Sequence, residues 1–208
     1  MTLRIAVLIF DELTALDAIG PYEVLSRLPE SELRLVAAEP GTKRTDTGGL
    51  GLQADAALAD LPDPDVLVVP GGRGSRALLR DGEVLEWVRQ ADVESTWTTS
   101  VCTGAFVLGA AGLLDGKRAT THWAYLDRLG EFGAEAVSQR VVEDGKLITA
   151  AGVSAGIDMA LTLAARIGGD EIAQAIQLGI EYDPKPPFDS GSPAKAPKEL
   201  VDLVRARH

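Results

Sequence analysis

The chain has 208 residues, of which 46% are hydrophobic and 25% are charged, as expected for a globular protein with one well-buried core. Its formal net charge of -11 repels phosphate backbones and anionic lipid, which disfavours binding to nucleic acid or to a membrane surface. Cys102 is the single cysteine, so an intramolecular disulfide scaffold is excluded. The apolar run over residues 5–10 is too short for a signal-peptide core, and we therefore expect a cytoplasmic protein.

Short runs rich in Val, Ile, Leu and Thr alternate with runs of helical period along the chain. The first kind predicts strands buried on both faces of a parallel sheet, over residues 4–10, 33–38, 65–69 and 96–101. The second kind predicts helices over residues 21–28, 76–79, 83–91, 104–114, 155–167, 170–181 and 198–207.

A hairpin is predicted for residues 137–142 and 146–150, closed by a tight Asp144-Gly145 turn. The order of elements predicts an α/β fold with a doubly wound, mostly parallel sheet sandwiched by helices, of the flavodoxin-like or class I glutamine amidotransferase-like kind. Residues 1–208 are predicted to form a single domain. The Pro/Gly/Ser-rich segment 183–197 is predicted to be a loop before a short C-terminal helix.

Cys102 lies where a predicted strand ends and a predicted helix begins. Ligands of doubly wound folds bind at the carboxyl ends of the strands, and a helix N-terminus favours an anion, so a thiol there is expected to be exposed with a lowered pKa. Thr103 offers a hydroxyl and a backbone N–H to a developing negative charge. A lone cysteine is also a common inert core residue, so buried packing is the alternative.

The segment Pro70-Gly71-Gly72-Arg73-Gly74-Ser75 follows another predicted strand. Its glycines do not have the dinucleotide-binding spacing, because position 77 is Ala, and no phosphate-binding lysine follows. We expect its N–H groups, from Gly72 or Arg73, to form an oxyanion-hole-like site together with the N–H of Thr103. An ordinary glycine turn is the alternative.

A carboxylate near the first predicted strand is a candidate proton donor and acceptor. Gly20-Pro21 predicts a helix start, which places Asp17 just before that helix, on the carboxyl side of the sheet. A helix-capping role for Asp17 is the alternative, and Glu23 is a second candidate carboxylate.

His122 and His208 are the two histidines of the chain. His122 has the spacing either to join Cys102 as an accessory group or to cap a helix over residues 123–132. Two histidines and one cysteine are too few for a zinc cluster, so no metal is predicted.

Together, the stretches LDAIGPYEVL, PGGRGS, SVCTGAFVLGAAGLLDGKRATTHWAY, AGVSAGIDMALTLAA and EYDPKPPFDSGSP resemble the PfpI/ThiJ superfamily, and within it the isocyanide hydratases. They cover nearly the whole chain. The resemblance implies a homodimer with Cys102 as the nucleophile on a strained turn. It also implies Asp17 as the acid–base partner and Thr103 as a hydrogen-bond donor.

The resemblance implies addition of water to an isocyanide, giving an N-substituted formamide through a thioimidate on Cys102, with no cofactor. Such a substrate is small and apolar, so we expect a largely apolar pocket, walled in part by Val153, Ser154 and Ala155.

Three other functions remain open at this point: a glyoxalase- or deglycase-like hydrolase, a cysteine-oxidation sensor and a ligand-binding module. Related transcription regulators share the TTHW stretch but carry a helix-turn-helix region. We expect that region to be absent here.

Overall fold

The computed structural model describes residues 2–207. The strands are β1 (Leu3–Leu8), β2 (Ser31–Ala37), β3 (Gly41–Arg44), β4 (Gly51–Ala54), β5 (Ala56–Ala57), β6 (Val66–Val69), β7 (Trp97–Val101), β8 (Arg118–Ala119), β9 (Glu135–Ala136), β10 (Val141–Asp144) and β11 (Leu147–Ala150). The helices are α1 (Ala15–Leu25), α2 (Ser75–Leu78), α3 (Gly82–Glu94), α4 (Gly104–Ala110), α5 (Ala155–Gly168), α6 (Asp170–Gly179) and α7 (Lys198–Arg205). Short 3₁₀ helices run over Leu58–Asp60 and Trp123–Phe132.

The central sheet has the strand order β10-β11-β7-β6-β1-β2-β5. Every neighbouring pair is parallel except β10 and β11, which form an antiparallel edge. Read in chain order, the five inner strands follow the flavodoxin-like order 2-1-3-4-5. The predicted doubly wound α/β fold class is therefore confirmed.

Helices cover both faces of this sheet. On one side α1 packs against α5, and α5 packs against α6, while on the other side α4 packs against α3 and the longer 3₁₀ helix. All four residues of β6 and the last four of β1 are buried, as expected for inner strands with helices on both faces.

The first helix begins earlier than predicted. Gly20 and Pro21 lie inside α1 rather than at its start, and Asp17 lies in its first turn. Proline lacks the N–H that a helix interior uses, so local propensity disfavours this position. Tertiary packing overrides that preference, because Gly20 lies against Ile157 and Pro21 lies against Gly156 of α5.

The predicted hairpin exists, but its first strand is shorter than predicted. β10 starts at Val141 because Val137 instead donates a backbone hydrogen bond to Ala119, next to β8. Asp144 pairs with Leu147, so the turn residues are Gly145 and Lys146 rather than Asp144 and Gly145.

Several smaller features were missed or misjudged in length. The hairpin of β3 and β4 and the pair of β8 and β9 were not predicted. The predicted helix over residues 104–114 ends at Ala110. Segment 183–197 is an exposed loop without strand or helix, as predicted, and within residues 2–207 no helix is long and apolar enough to span a membrane.

Candidate active site

Three connections meet at the carboxyl edge of the sheet. They are the segment from β1 into α1, the glycine segment after β6 and the turn from β7 into α4. The strands β1, β6 and β7 are neighbours in the sheet, so Asp17, Gly72 and Cys102 are brought together although they are far apart in sequence. This edge includes the point where the strand order reverses, where doubly wound folds bind their ligands.

Cys102 adopts the left-handed backbone conformation, with φ of +56°. This region is costly for a non-glycine residue and persists only where the surroundings hold the backbone in place. Here the N–H of Cys102 donates to the carbonyls of Ala150 and Ala151, over 3.0 and 2.8 Å, and its own carbonyl accepts from Thr121 Oγ1 over 2.7 Å. The strained turn that the resemblance implied is therefore present.

The expected exposed, acidic thiol is wrong for this structure. Cys102 is 6% exposed. Burial raises the pKa of the thiol well above its usual value, and the nearby Asp17 carboxyl raises it further. The N–H and hydroxyl of Thr103 lower that pKa, but their effect is smaller than that of burial. The helix N-terminus therefore does not by itself produce a thiolate.

Asp17 is fully buried, at 0% exposure. Its Oδ2 accepts a hydrogen bond from the Gly71 N–H over 3.0 Å, while Oδ1 has no hydrogen-bond partner in the described part of the chain. Burial raises the pKa of Asp17 to about 7, against the lowering effects of the Gly71 N–H and the Cys102 thiol. A carboxyl with this pKa both gives and takes protons near neutrality.

The glycine segment holds the site together instead of offering a pair of free donors. The Gly71 N–H is used by Asp17, and the Gly72 N–H donates to Thr103 Oγ1 over 3.0 Å. The prediction of Gly72 as an oxyanion donor is therefore wrong. The N–H of Arg73 has no backbone partner among residues 2–207, so Arg73 stays the predicted donor.

Close approach explains why glycines are required here. A Cβ on Gly71 would lie 2.5 Å from the Thr103 nitrogen and 3.0 Å from Asp17 Oδ2. Gly72 has φ of +129°, and a Cβ there would lie 2.4 Å from the Thr14 nitrogen. The glycines thus admit neighbouring protein backbone, whereas sequence reasoning assigned the space to a substrate.

Ser75 completes a buried cluster of hydroxyl groups that sequence reasoning missed. Its Oγ lies 3.0 Å from Thr103 Oγ1 and 2.8 Å from the carbonyl oxygen of Gly72. The only signal in the sequence was its position as the last residue of the glycine segment. The cluster fixes the Thr103 hydroxyl beside Cys102.

His122 lines the same cavity as Cys102. Its Nδ1 accepts from the Ala124 N–H over 3.3 Å, so the predicted cap of the 3₁₀ helix Trp123–Phe132 is present. An accessory role for His122 stays a prediction. Glu23 is exposed and paired with Arg27, outside the cavity, so it is not a candidate for the site.

A cavity of about 990 Å³ opens above Cys102 and Thr103. Its lining includes the predicted residues Gly72, Arg73 and Val153, but not Ser154 or Ala155. Ser154 instead accepts from Arg140, and Ala155 is buried in α5. Besides apolar Leu79 and Phe106, the wall contains several charged groups, so the pocket is more polar than expected. These groups are Asp46, Arg73, Arg76, Arg80, Arg128 and Arg207.

No group of three or more His, Cys, Asp and Glu side chains is arranged to hold a metal ion in the described part of the chain.

Comparison with known proteins identifies the family. A sequence model of the DJ-1/PfpI family matches residues 3–166. The chain belongs to the DJ-1/PfpI family. The predicted superfamily is thereby confirmed, and the strained cysteine turn lies inside the matched region.

Individual members of the DJ-1/PfpI family cover the chain to different extents. It is 49% identical over 209 residues to isonitrile hydratase of Pseudomonas putida, with 100% of this chain and 90% of that protein covered. It is 34% identical over 168 residues to the HTH-type transcriptional regulator CdhR of Pseudomonas aeruginosa, covering 79% of this chain and 49% of the regulator. The crystal structure of a ThiJ/PfpI family protein from Pseudomonas syringae has a TM-score of 0.96 and 36% identity, covering 100% of this chain and 86% of that one.

Proposed function

We propose that this DJ-1/PfpI family protein is an isocyanide hydratase, which adds water to R–N≡C to give the formamide R–NH–CHO. The observation that carries the proposal is the pairing of buried Cys102, on a strained turn, with buried Asp17, whose pKa is raised to about 7. Isonitrile is another name for isocyanide, and the full-length similarity to the Pseudomonas putida isonitrile hydratase supports the same substrate class.

The reactive form of the pair holds one proton. Burial raises the pKa of the Cys102 thiol, and repulsion between two negative charges buried side by side raises it further when Asp17 is ionised. At neutral pH the Asp17 carboxyl is deprotonated in a large fraction of molecules while Cys102 keeps its proton. Asp17 can then take the thiol proton as the sulfur attacks.

In the first step the Cys102 sulfur forms a bond to the terminal carbon of the isocyanide. The thiol proton passes to Asp17 and from there to that carbon, which gives the thioimidate R–N=CH–S–Cys102. No redox change occurs. The N–H and hydroxyl of Thr103, which favour the thiolate, stabilise the sulfur as it gives up its proton.

In the second step Asp17, again a carboxylate, takes a proton from water as the oxygen attacks the thioimidate carbon, and the nitrogen is protonated. The C–S bond then breaks and the formamide leaves, and the sulfur regains its proton. The sum is R–N≡C plus water giving R–NH–CHO. We propose the Arg73 N–H as a donor to the oxygen as it becomes negative, and the Val153 side chain as part of the substrate wall.

The sensor alternative is disfavoured by the state of the thiol. Oxidation-sensing cysteines are exposed and have a low pKa, whereas Cys102 is buried and its pKa is raised.

The test is formamide production from cyclohexyl isocyanide by wild type, Cys102→Ala, Asp17→Asn and the control Asp127→Asn. Asp127 is exposed and outside the cavity, so the control removes the same charge without touching the site. We expect wild type and Asp127→Asn to form formamide and the other two variants to lose almost all activity.

Methylglyoxal consumption by the same four proteins separates the hydratase from the glyoxalase-like alternative. Isocyanide left untouched while methylglyoxal disappears would overturn the proposal. Formamide formation by Cys102→Ala would overturn the role of the cysteine.

We further propose a homodimer and a cytoplasmic location. The dimer is supported by α7, which exposes Leu200 and Leu203 to 47% and 49%. The location is supported by the lone cysteine, since secreted proteins more often use cysteines in pairs. Light scattering during size-exclusion chromatography tests the dimer, and a monomer mass at micromolar concentration would contradict it.

A further inference from the structure

The cavity above Cys102 is strongly cationic although the chain as a whole is acidic. Five of the 20 Lys and Arg residues line it, against one acidic residue, Asp46, while the whole chain has a net charge of -11. The positive charge is therefore concentrated at this cavity. A random sample of this chain's charged residues would give mostly carboxylates.

Not all of these arginines are used by neighbouring carboxylates. Arg128 is paired with Glu131 over 3.0 Å, and Arg76 donates to the Tyr125 hydroxyl over 3.1 Å. In contrast, Arg73 and Arg80 form no ion pair within residues 2–207, although exposed arginines elsewhere on the protein, such as Arg34 and Arg89, do. Arg73 and Arg80 thus line the cavity without an ion pair to any carboxylate of residues 2–207.

The one acidic group in the lining, Asp46, forms no ion pair with these arginines among residues 2–207. The Asp46 carboxylate accepts a hydrogen bond from the Thr14 hydroxyl over 2.6 Å and makes no ion pair with an arginine of the described chain. The pKa of Asp17 is raised chiefly by burial, and the charge of Asp46 adds a smaller increase.

The residues that line the cavity differ in their exposure to solvent. Cys102, Thr103 and Phe106 are buried, whereas Arg73 and Arg80 are exposed. A ligand that places its reacting carbon against the sulfur therefore extends outward from an uncharged floor to an arginine-lined mouth. Guanidinium groups bind carboxylate and phosphate through paired N–H donors.

We propose that the preferred substrate carries an anionic substituent, a carboxylate on the R group, which the arginines at the mouth bind while the isocyano carbon reaches Cys102. This rests on the proposed hydratase function and goes beyond it by naming the class of R group. A purely hydrocarbon R group leaves Arg73 and Arg80 without an ion-pair partner.

The experiment compares two substrates of almost equal shape, para-isocyanobenzoate and the neutral para-isocyanobenzamide. We expect kcat/KM to be about tenfold higher for the carboxylate, the size of one charge-assisted hydrogen-bonded pair. The preference is expected to shrink as salt is raised, because ions screen exposed charges. Equal values, or a preference for the carboxamide, would overturn this inference and leave the hydratase function standing.

Arginine variants locate the effect. Arg80→Gln is expected to lower kcat/KM for the carboxylate more than for the carboxamide, so that the ratio between the two falls. Arg118→Gln is the matched control, because Arg118 is also exposed but lies outside the cavity, and its ratio is expected to match wild type. An unchanged ratio in Arg80→Gln would exclude Arg80 as the binding group.

If neither isocyanide is hydrated, the hydratase proposal fails. Binding of the two formamide products then tests, independently of catalysis, whether the arginines bind an anionic substituent. Titration calorimetry of wild type with para-formamidobenzoate and para-formamidobenzamide measures this directly. About tenfold tighter binding of the carboxylate supports the anion site, and equal binding overturns it.

Discussion

The backbone N–H of Gly72 donates a hydrogen bond to Thr103 Oγ1 over 3.0 Å, which joins the glycine segment after β6 to the cysteine turn after β7. The neighbouring Gly71 N–H donates to Asp17, so one short segment positions both partners of Cys102. The two loops and the first turn of α1 therefore act as one unit, and changes in any of them are expected to affect the chemistry at the sulfur.

The Thr103 hydroxyl is expected to be required. Thr103→Val removes the acceptor of the Gly72 N–H and a partner of the buried Ser75 hydroxyl, and it is expected to cost about 1–3 kcal/mol in the free energy of unfolding. Formamide production should fall with it, because the hydroxyl also favours the thiolate. Thr103→Ser keeps the hydroxyl and should restore both quantities. Equal behaviour of the two variants, in denaturant titration and in the assay, would contradict this role.

Gly71 is expected to tolerate no side chain. In Gly71→Ala the new Cβ meets the Thr103 nitrogen and Asp17 Oδ2, so we expect a loss of about 2 kcal/mol or more in stability and a lower kcat. Gly82→Ala is the matched control, since a Cβ there would meet no atom of residues 2–207 within 4 Å apart from its chain neighbours and its own helix backbone, and its stability should change by less than about 0.5 kcal/mol. Thermal unfolding of both variants measures the difference. A Gly71→Ala protein as stable and active as wild type would show that the loop relaxes freely.

The pH dependence of kcat/KM should report on Asp17. Below its pKa of about 7 both Asp17 and Cys102 are protonated and no base is available, so the rate is expected to rise with pH through about 7. At a pH high enough to ionise the raised-pKa thiol as well, the pair has no proton left to give and the rate should fall. A rate independent of pH between about 5 and 9 would exclude Asp17 as the proton carrier.

The stability of Asp17→Asn should depend on pH relative to wild type. The Asp17 carboxyl has a pKa of about 7 in the folded protein, against an ordinary value of 3.8, so between these pH values the folded state binds more protons than the unfolded state. Below about pH 4 the Asp17 carboxyl is protonated in both states and does not lower the free energy of unfolding. As pH rises to about 7, the free energy of unfolding of wild type falls because the buried carboxyl resists ionisation. Asp17→Asn has no titrating group at this position, so its free energy of unfolding does not fall in this way.

Asp17→Asn should thus gain on wild type by up to about 4 kcal/mol between about pH 4 and pH 8. The gain is measured as the difference in free energy of unfolding at each pH. Asp127→Asn, which removes the same charge from an exposed position, controls for net charge. A constant difference across this range would mean that Asp17 is not buried as the structure places it.

Much of the fold follows from local pattern in the sequence. The buried runs of β1 and β6 are apolar on both faces, as inner strands of a parallel sheet require, and the runs that become strands alternate with helical runs. The same pattern placed Cys102 after a strand end and the glycine segment after another. These features depend on residues that are adjacent in sequence, so each can be predicted from its own short stretch.

The state of the site was decided only by tertiary packing. The sequence placed Cys102 at a helix start and so predicted an acidic, exposed thiol, but surrounding elements bury it against Asp17 and raise its pKa. The N–H of Gly72 was taken for a substrate donor, but Thr103 uses it. Burial and hydrogen-bond partners depend on residues distant in sequence, and pKa values follow from both, so local pattern could name the reactive residues but could not set their protonation or their contacts.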